Sequence, residues 1–437
     1  MKVVRVGTSA YEQALQTLAG RGDAEDLGVE QTVRDILAKV RSEGDAAVLG
    51  YTHKFDRLTL TADTMAFSPD DYANAYEQAD PKVVEALRYS ADRIRAFHEH
   101  QVRKGYRYES EDGVSLGQLI RPLAVVGVYV PGGKATYPST VLMNTIPAKV
   151  AGVEKVVMVT PTPNGQLNPH LLVAADIAGV DMAFRIGGAQ AVGALAYGTD
   201  TVPQVDTIVG PGNIFVATAK KQVFGVCNID MIAGPSEILV VADDSANAEF
   251  VAADLLSQAE HDELASAILV TPSEEIANAV SAAVEKQLLT LERSDIARKS
   301  IDTYGVAIVT DDLDAAAEVA NRVAPEHLEL ALADPEALLP KIKNAGAIFL
   351  GHYTPEAIGD YVAGPDHVLP TGGTARFSSP LNVDDFIKKT SVLSYSREAF
   401  TRVADTCITL SDTEGLFAHS RSVKLRLSTP PEECPPG

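Results

Sequence analysis

Between residues 123 and 351 the chain alternates short, nearly all-apolar runs with helical stretches, and this alternation constrains the fold more than any other feature. Leu123-Ala-Val-Val-Gly-Val-Tyr-Val130 is the first such run, broken by Pro131-Gly132-Gly133. A helix over 141–151, a strand over 155–160, a helix over 168–178 and a strand over 182–186 follow. Next come a Gly187-Gly188 turn, a helix through Tyr197, and a strand over 207–209 closed by Gly210-Pro211-Gly212. A run that is apolar at every position suits a strand with both faces covered, which is the situation of a parallel sheet between layers of helices.

The pattern repeats from residue 238 to about 351, with strands expected over 238–241, 267–271, 305–309, 328–331 and 346–350. Asp243, Asp244 and Ser245 offer N-caps to the helix after the first of these, and Asp334-Pro335 starts a later helix with proline at its first position. Two α/β units built on two related sheets are therefore expected. Residues 1–25 read as a strand or arm with a short helix. Residues 29–41 and 82–104 have helical periodicity. After Thr371-Gly-Gly-Thr-Ala375 the pattern becomes helical again, and the proline-rich stretch from Ser428 reads as a disordered tail.

A chain of 437 residues allows two or three domains, at roughly 150 residues each. With 59 acidic against 37 basic residues its formal charge is −22. Repulsion of that size argues against nucleic acid or an anionic membrane as partner and leaves room for a small cationic substrate. The cysteines, Cys227, Cys407 and Cys434, lie far apart in no metal-type spacing, which suits a reducing compartment. The first residues lack the apolar core of a signal peptide. No stretch approaches the ~20 apolar residues of a membrane span. A cytoplasmic protein is expected.

Candidates for chemistry cluster in the second half. Gln258 and His261 are three apart and share a helix face, as a site or as a solvated helix end. Glu326-His327 precedes a buried strand and pairs an acid with a base, or forms a solvent-facing loop. Asp360 and His367 carry zinc-ligand chemistry, or cap a turn and sit in a loop. Ser411 and Glu414 have capping-box spacing, and His419 shares a face with Leu416 and Val423 as a core histidine would. The glycines at strand ends, in 125–133 and 186–193, do not follow the dinucleotide fingerprint, although turns after parallel strands are where a dinucleotide lies.

Taken together these segments resemble histidinol dehydrogenase over nearly the whole chain. The resemblance runs through Ser42-Glu-Gly-Asp45, Val128-Tyr-Val-Pro-Gly-Gly133, Gly187-Gly-Ala-Gln190 and Gly210-Pro-Gly-Asn213. It continues through the stretch from Ile229-Asp230 and Ala233-Gly-Pro-Ser-Glu237 to Ser257-Gln-Ala-Glu-His261, then Pro325-Glu-His-Leu328, Gly364-Pro-Asp-His-Val-Leu-Pro370, Thr371 to Pro380, and Glu414-Gly-Leu-Phe-Ala-His419. It implies an NAD-dependent oxidation of L-histidinol to L-histidine through histidinal, the last step of histidine biosynthesis. It also implies one zinc per subunit on Gln258, His261, Asp360 and His419, with His327 as general base and Glu326 activating water. Ser236, His367 and Glu414 would contact substrate, together with His327 and the zinc ligands. Tyr129, Gln190 and Asn213 would contact NAD. A homodimer with intertwined C-terminal helices would bring Glu414 and His419 to the neighbouring subunit's site.

The expected fold is α/β, with two related incomplete Rossmann-like parallel-sheet domains, a small N-terminal arm and a C-terminal helical dimerisation segment. The layout is an arm over 1–25, a discontinuous first domain over 26–105 and 238–380 carrying the metal and catalytic residues, a second domain over 106–237 on the NAD side, and a C-terminal segment over 381–437. Two other readings of the same residues are a paralogous dehydrogenase for another small polar alcohol, such as a sulfonated diol, and a zinc hydrolase. Glu326-His327, His367 and Glu414 with His419 together favour an imidazole substrate. The hydrolase leaves the two sheets and their glycine turns unexplained.

Overall fold

The computed structural model describes residues 1–21, 27–132, 137–232 and 234–429. They divide into a large unit, within residues 1–101 and 123–386, and a small one, within residues 102–122 and 387–429.

The large unit holds two parallel sheets of matching topology. Five strands of the first sheet are Glu237–Ala242, Ser266–Thr271, Val306–Val309, His327–Ala331 and Ala347–Leu350. Numbered in chain order they lie 3-2-1-4-5 across the sheet. The second sheet, Val125–Tyr129, Lys155–Val159, Met182–Phe184, Thr207–Val209 and Asn228–Ile229, has the same 3-2-1-4-5 order. All of these pairings are parallel. This is the doubly wound arrangement, in which the strand order reverses between strands 1 and 4. Buried apolar residues fill both faces of each sheet, so every position of Glu237–Ala242 and Ser266–Thr271 is inaccessible.

The expected layout differs from this in three places. Lys2–Arg5 is no separate arm; it pairs in register with Val306–Val309 and extends the edge of the first sheet. The helices between residues 27 and 99 cover the second sheet instead of the first. Val33, Ile36, Leu37 and Val40 share a core with Val157, Val159, Leu195 and Ile208. Leu87, Ala91 and Ile94 share one with Val126, Val128 and Met158. Helical periodicity identifies the buried face of a helix and says nothing of which sheet receives it. Finally, the helix Ala248–Ala259 is capped by Asn247, whose side chain accepts from the Glu249 N–H at 2.9 Å. Asp243 instead accepts from the Ser245 and Ala333 amides, tying down the preceding loop.

In the small unit Val114–Pro122 is the central strand of an antiparallel sheet, flanked by Tyr106–Glu111 and Ile387–Tyr395. Residues 106–122 therefore share a sheet with the C-terminal segment and are not part of the second domain, and 387–395 is a strand where helix was expected. Helices Arg397–Thr413 and Phe417–Ser428 complete this unit. Ser428 is helical, and the proline-rich tail from residue 430, Cys434 included, lies outside the described residues. Among the described residues Cys227 and Cys407 are free thiols, and no helix is long and apolar enough to cross a membrane.

Candidate active site

A cavity of 390 Å³ lies where both sheets of the large unit reverse their strand order. It meets the second sheet at its carboxyl end: Pro131 follows the strand Val125–Tyr129, and Pro211, Gly212 and Asn213 follow Thr207–Val209. That is the usual place for a ligand on such a sheet. It meets the first sheet at the opposite end. Gly234 and Ser236 precede Glu237–Ala242, and Glu326 and His327 open the strand His327–Ala331. Gln258, His261, Asp360 and His367 line the same space.

His327 and Glu326 are both buried, which removes the solvent-facing reading. His327 Nδ1 lies 3.0 Å from the Glu237 carbonyl oxygen and 2.9 Å from the Gln258 amide. A backbone carbonyl only accepts and cannot turn, whereas an amide can present either end. Nδ1 therefore carries the hydrogen in the neutral ring, and Gln258 offers its oxygen to it. The other nitrogen, Nε2, is buried without a hydrogen-bond partner among the described residues, with Asp360 Oδ1 3.6 Å away. Glu326 Oε2 accepts from the Glu237 N–H at 2.9 Å and stands 3.7 Å from His327. Burial pushes the Glu326 carboxyl up to about 8, against the pull of His327. Burial works to lower His327, but the carboxylates of Glu356, Glu326 and Asp360 outweigh it and hold the imidazole well above its ordinary value.

Two overlapping donor sets could hold a metal, and Asp360 belongs to both. Gln258 sits in the last turn of Ala248–Ala259, with His261 just beyond it. His261 Nδ1 donates to the Ser257 carbonyl at 2.8 Å, which frees Nε2 for a ligand in the usual second-shell arrangement of a metal-bound histidine. Asp360 is the second residue of a π-helical turn, Gly359–Ala363. Gly359 is needed there, because a Cβ would stand 2.5 Å from the Phe349 ring. Burial works to raise Asp360, but the imidazoles of His327, His367 and His261 hold its carboxyl below the ordinary range. The second set is His327, Glu356 and Asp360, whose ligating atoms lie within 4.8 Å of one another. Glu356 was not singled out from the sequence. Its i, i+4 spacing to Asp360 was the available signal. His367 Nδ1 donates to the Asp360 carbonyl at 3.1 Å, and its Nε2 lies 3.4 Å from the Thr140 hydroxyl.

The other three candidates stand at the carboxyl end of the second sheet. The Tyr129 hydroxyl, at the end of its strand, accepts from the Gly188 N–H at 3.0 Å. Gln190, in the first turn of Gly188–Tyr197, is buried, and its Oε1 has no partner among the described residues. Asn213 caps Ile214–Val223 and accepts from the Phe215 and Val216 amides. Gly210 has φ +108°, and a Cβ there would lie 2.1 Å from the Tyr129 carbonyl, so only glycine lets the two strand ends come this close.

Glu414 and His419 belong to the small unit. Both border a groove of 450 Å³ with Cys407, Leu410 and Leu416. The capping-box reading fails: Ser411 lies in the last turn of Arg397–Thr413, its hydroxyl donating to the Cys407 carbonyl at 2.8 Å, and Glu414 ends that helix. The core-histidine reading also fails, because His419 is exposed.

A model of the histidinol dehydrogenase family matches residues 20–427. The chain is 56% identical to histidinol dehydrogenase of Syntrophotalea carbinolica over 427 residues, 98% of this chain and 99% of that one. It is 56% identical to the Aquifex aeolicus histidinol dehydrogenase over 414 residues, 95% and 96% of the two chains. The fold is similar to the crystal structure of histidinol dehydrogenase from Elizabethkingia anophelis, with TM-score 0.91, 37% identity and 98% of each chain covered.

Proposed function

Because the chain belongs to the histidinol dehydrogenase family and is an oxidoreductase, we propose that it oxidises L-histidinol to L-histidine with NAD and one zinc per subunit. Alcohol, water and two NAD become carboxylate, two NADH and three protons. The observation that carries the reading is the buried Nε2 of His327, which has no hydrogen-bond partner among the described residues, in a cavity it shares with Glu326.

His327 takes the hydroxyl proton on Nε2 as the carbinol carbon loses a hydride, and the Glu237 carbonyl keeps the ring in the tautomer that can do so. Glu326 then removes a proton from water as its oxygen adds to the aldehyde carbon, and the proton on His327 Nε2 passes to the aldehyde oxygen. That returns the imidazole to its neutral form, and His327 repeats its role on the resulting hydrate in the second oxidation. Holding the reactive aldehyde between the two steps requires that bulk solvent be kept from the site. Ser236 and His367 contact the substrate. Gln258, His261 and Asp360 would hold the metal from this subunit, and Gln258 stands beside the His327 Nδ1 at 2.9 Å. Bound there, zinc supplies a positive template for the substrate's imidazole and amine and offsets the field of Asp360 and Glu356 on His327. Tyr129, Gln190 and Asn213 bind NAD at the carboxyl end of the second sheet. Glu414 and His419 act across a homodimer interface on the partner subunit's site, His419 as the remaining zinc ligand. A cytoplasmic setting suits NAD chemistry and the free thiols.

A second placement of the metal, on His327, Glu356 and Asp360, is favoured by the closeness of those three groups. An absorbance assay with L-histidinol tests the function. About two NADH should form per histidinol, and a chelator should abolish the rate. Free histidinal released at one NADH contradicts the reading.

A further inference from the structure

Both reacting groups hang on the backbone of a single residue. The Glu237 N–H donates to Glu326 at 2.9 Å, and the Glu237 carbonyl accepts from His327 Nδ1 at 3.0 Å. Glu237 opens its strand, so only the neighbouring strand's Ser266 registers with it on one side. Its side chain reaches a buried ion pair with Arg21, each side chain 4% exposed. Arg21 comes from the segment after the first helix. Its guanidinium also donates to the Leu264 and Leu18 carbonyls at 3.2 Å each and lies over the Tyr304 ring. Glu237 Oε1 accepts in addition from the Gly372 N–H at 3.2 Å.

We propose that Arg21 and Glu237 are positioning residues, a clamp that sets the Glu237 peptide groups and through them the carboxylate of Glu326 and the tautomer of His327. A buried ion pair adds little stability beyond a well-packed apolar pair of the same volume, so stability alone gives it no reason to be here. A fixed geometry does. The fork of the guanidinium spends its donors on three separate segments, which a lysine cannot copy. The carbonyl that receives His327 Nδ1–H then stays where a neutral ring leaves Nε2 free. The proposal rests on the roles given above to His327 and Glu326.

The test compares Arg21→Lys, Arg21→Met and Glu237→Gln in the zinc-loaded enzyme, with His327→Asn alongside. Arg21→Met and Glu237→Gln should lower kcat by about ten- to a hundredfold, with KM for L-histidinol and zinc content within about twofold of the parent. Arg21→Lys should recover part of the loss. If Arg21→Met does not fold, the other two carry the comparison. Unchanged kcat in both Arg21→Lys and Glu237→Gln overturns the clamp, and so does a loss that appears in KM or in zinc content. An active His327→Asn overturns the site reading and the clamp with it. An inactive His327→Asn beside unimpaired Arg21→Lys and Glu237→Gln overturns the clamp alone.

Discussion

The two sheets of the large unit share one strand order, yet the cavity uses the carboxyl end of one and the amino end of the other. The difference follows from what stands beside each end. Beyond the carboxyl ends of a parallel sheet the helices begin, and unpaired N–H groups give a partial positive charge that suits phosphate. Gly188–Tyr197 and Ile214–Val223 start there, near Gln190 and Asn213. Beside the amino ends the helices finish, and their carbonyl ends favour cations. Ala248–Ala259 ends there, at Gln258, with His261 after it. One topology used at opposite poles thus offers an anion-friendly wall for a dinucleotide and a cation-friendly wall for a metal.

Each wall has its own buried ion pair. Arg21 and Glu237 stand behind the catalytic end. Lys220 and Asp230 stand behind the other, where Asp230 accepts from the Gly210 N–H at 2.8 Å and Lys220 donates to the Gly210 carbonyl at 2.8 Å.

The comparison breaks most sharply at His327. His327→Asn should cut turnover by about 10²–10⁴-fold while the zinc stays bound, as metal analysis of the purified variant would record. Zinc loss would move the metal to the set with Glu356. A smaller effect concerns the two ion pairs. Arg21→Met and Lys220→Met each leave a carboxylate buried without its partner and should cost about 3–5 kcal/mol in denaturant unfolding. Only Lys220→Met should also raise KM for NAD. Equal KM effects would show that the two ends are not separate. The mildest test is Asn213→Ala, which should lose about 1 kcal/mol with the helix cap and weaken NAD binding without touching zinc content.

Much of this was legible in the sequence. Nine strands of the two sheets begin and end within about two residues of expectation, because runs apolar at every position have no alternative to burial on both faces, whereas the two-residue strand Asn228–Ile229 was not expected and Lys2–Arg5 was expected only as a strand or arm. Ile387–Tyr395 escaped because it lies in an antiparallel sheet with much of its surface open, so it carries polar residues such as Lys388, Lys389 and Ser391. Leu27–Glu43 and Pro81–Glu99 were found and matched to the wrong sheet, since an apolar stripe does not name its partner, and the three helices between them were not expected. Glu326 and His327 were visible as an adjacent acid and base. Glu356, Glu237 and Arg21 were not, because their roles come from contacts between segments far apart in the chain. Gln258 and His261 gained their meaning through the family resemblance, their spacing alone also fitting a solvated helix end.

The division of labour between the two sheet ends is tested most directly by measuring zinc per subunit and NAD affinity on the same two variants, His261→Ala and Gln190→Ala. The expected result is a crossed pattern: His261→Ala loses zinc and keeps NAD affinity, while Gln190→Ala keeps zinc and loses NAD affinity. Loss of both properties in either variant, with the fold intact, would contradict it.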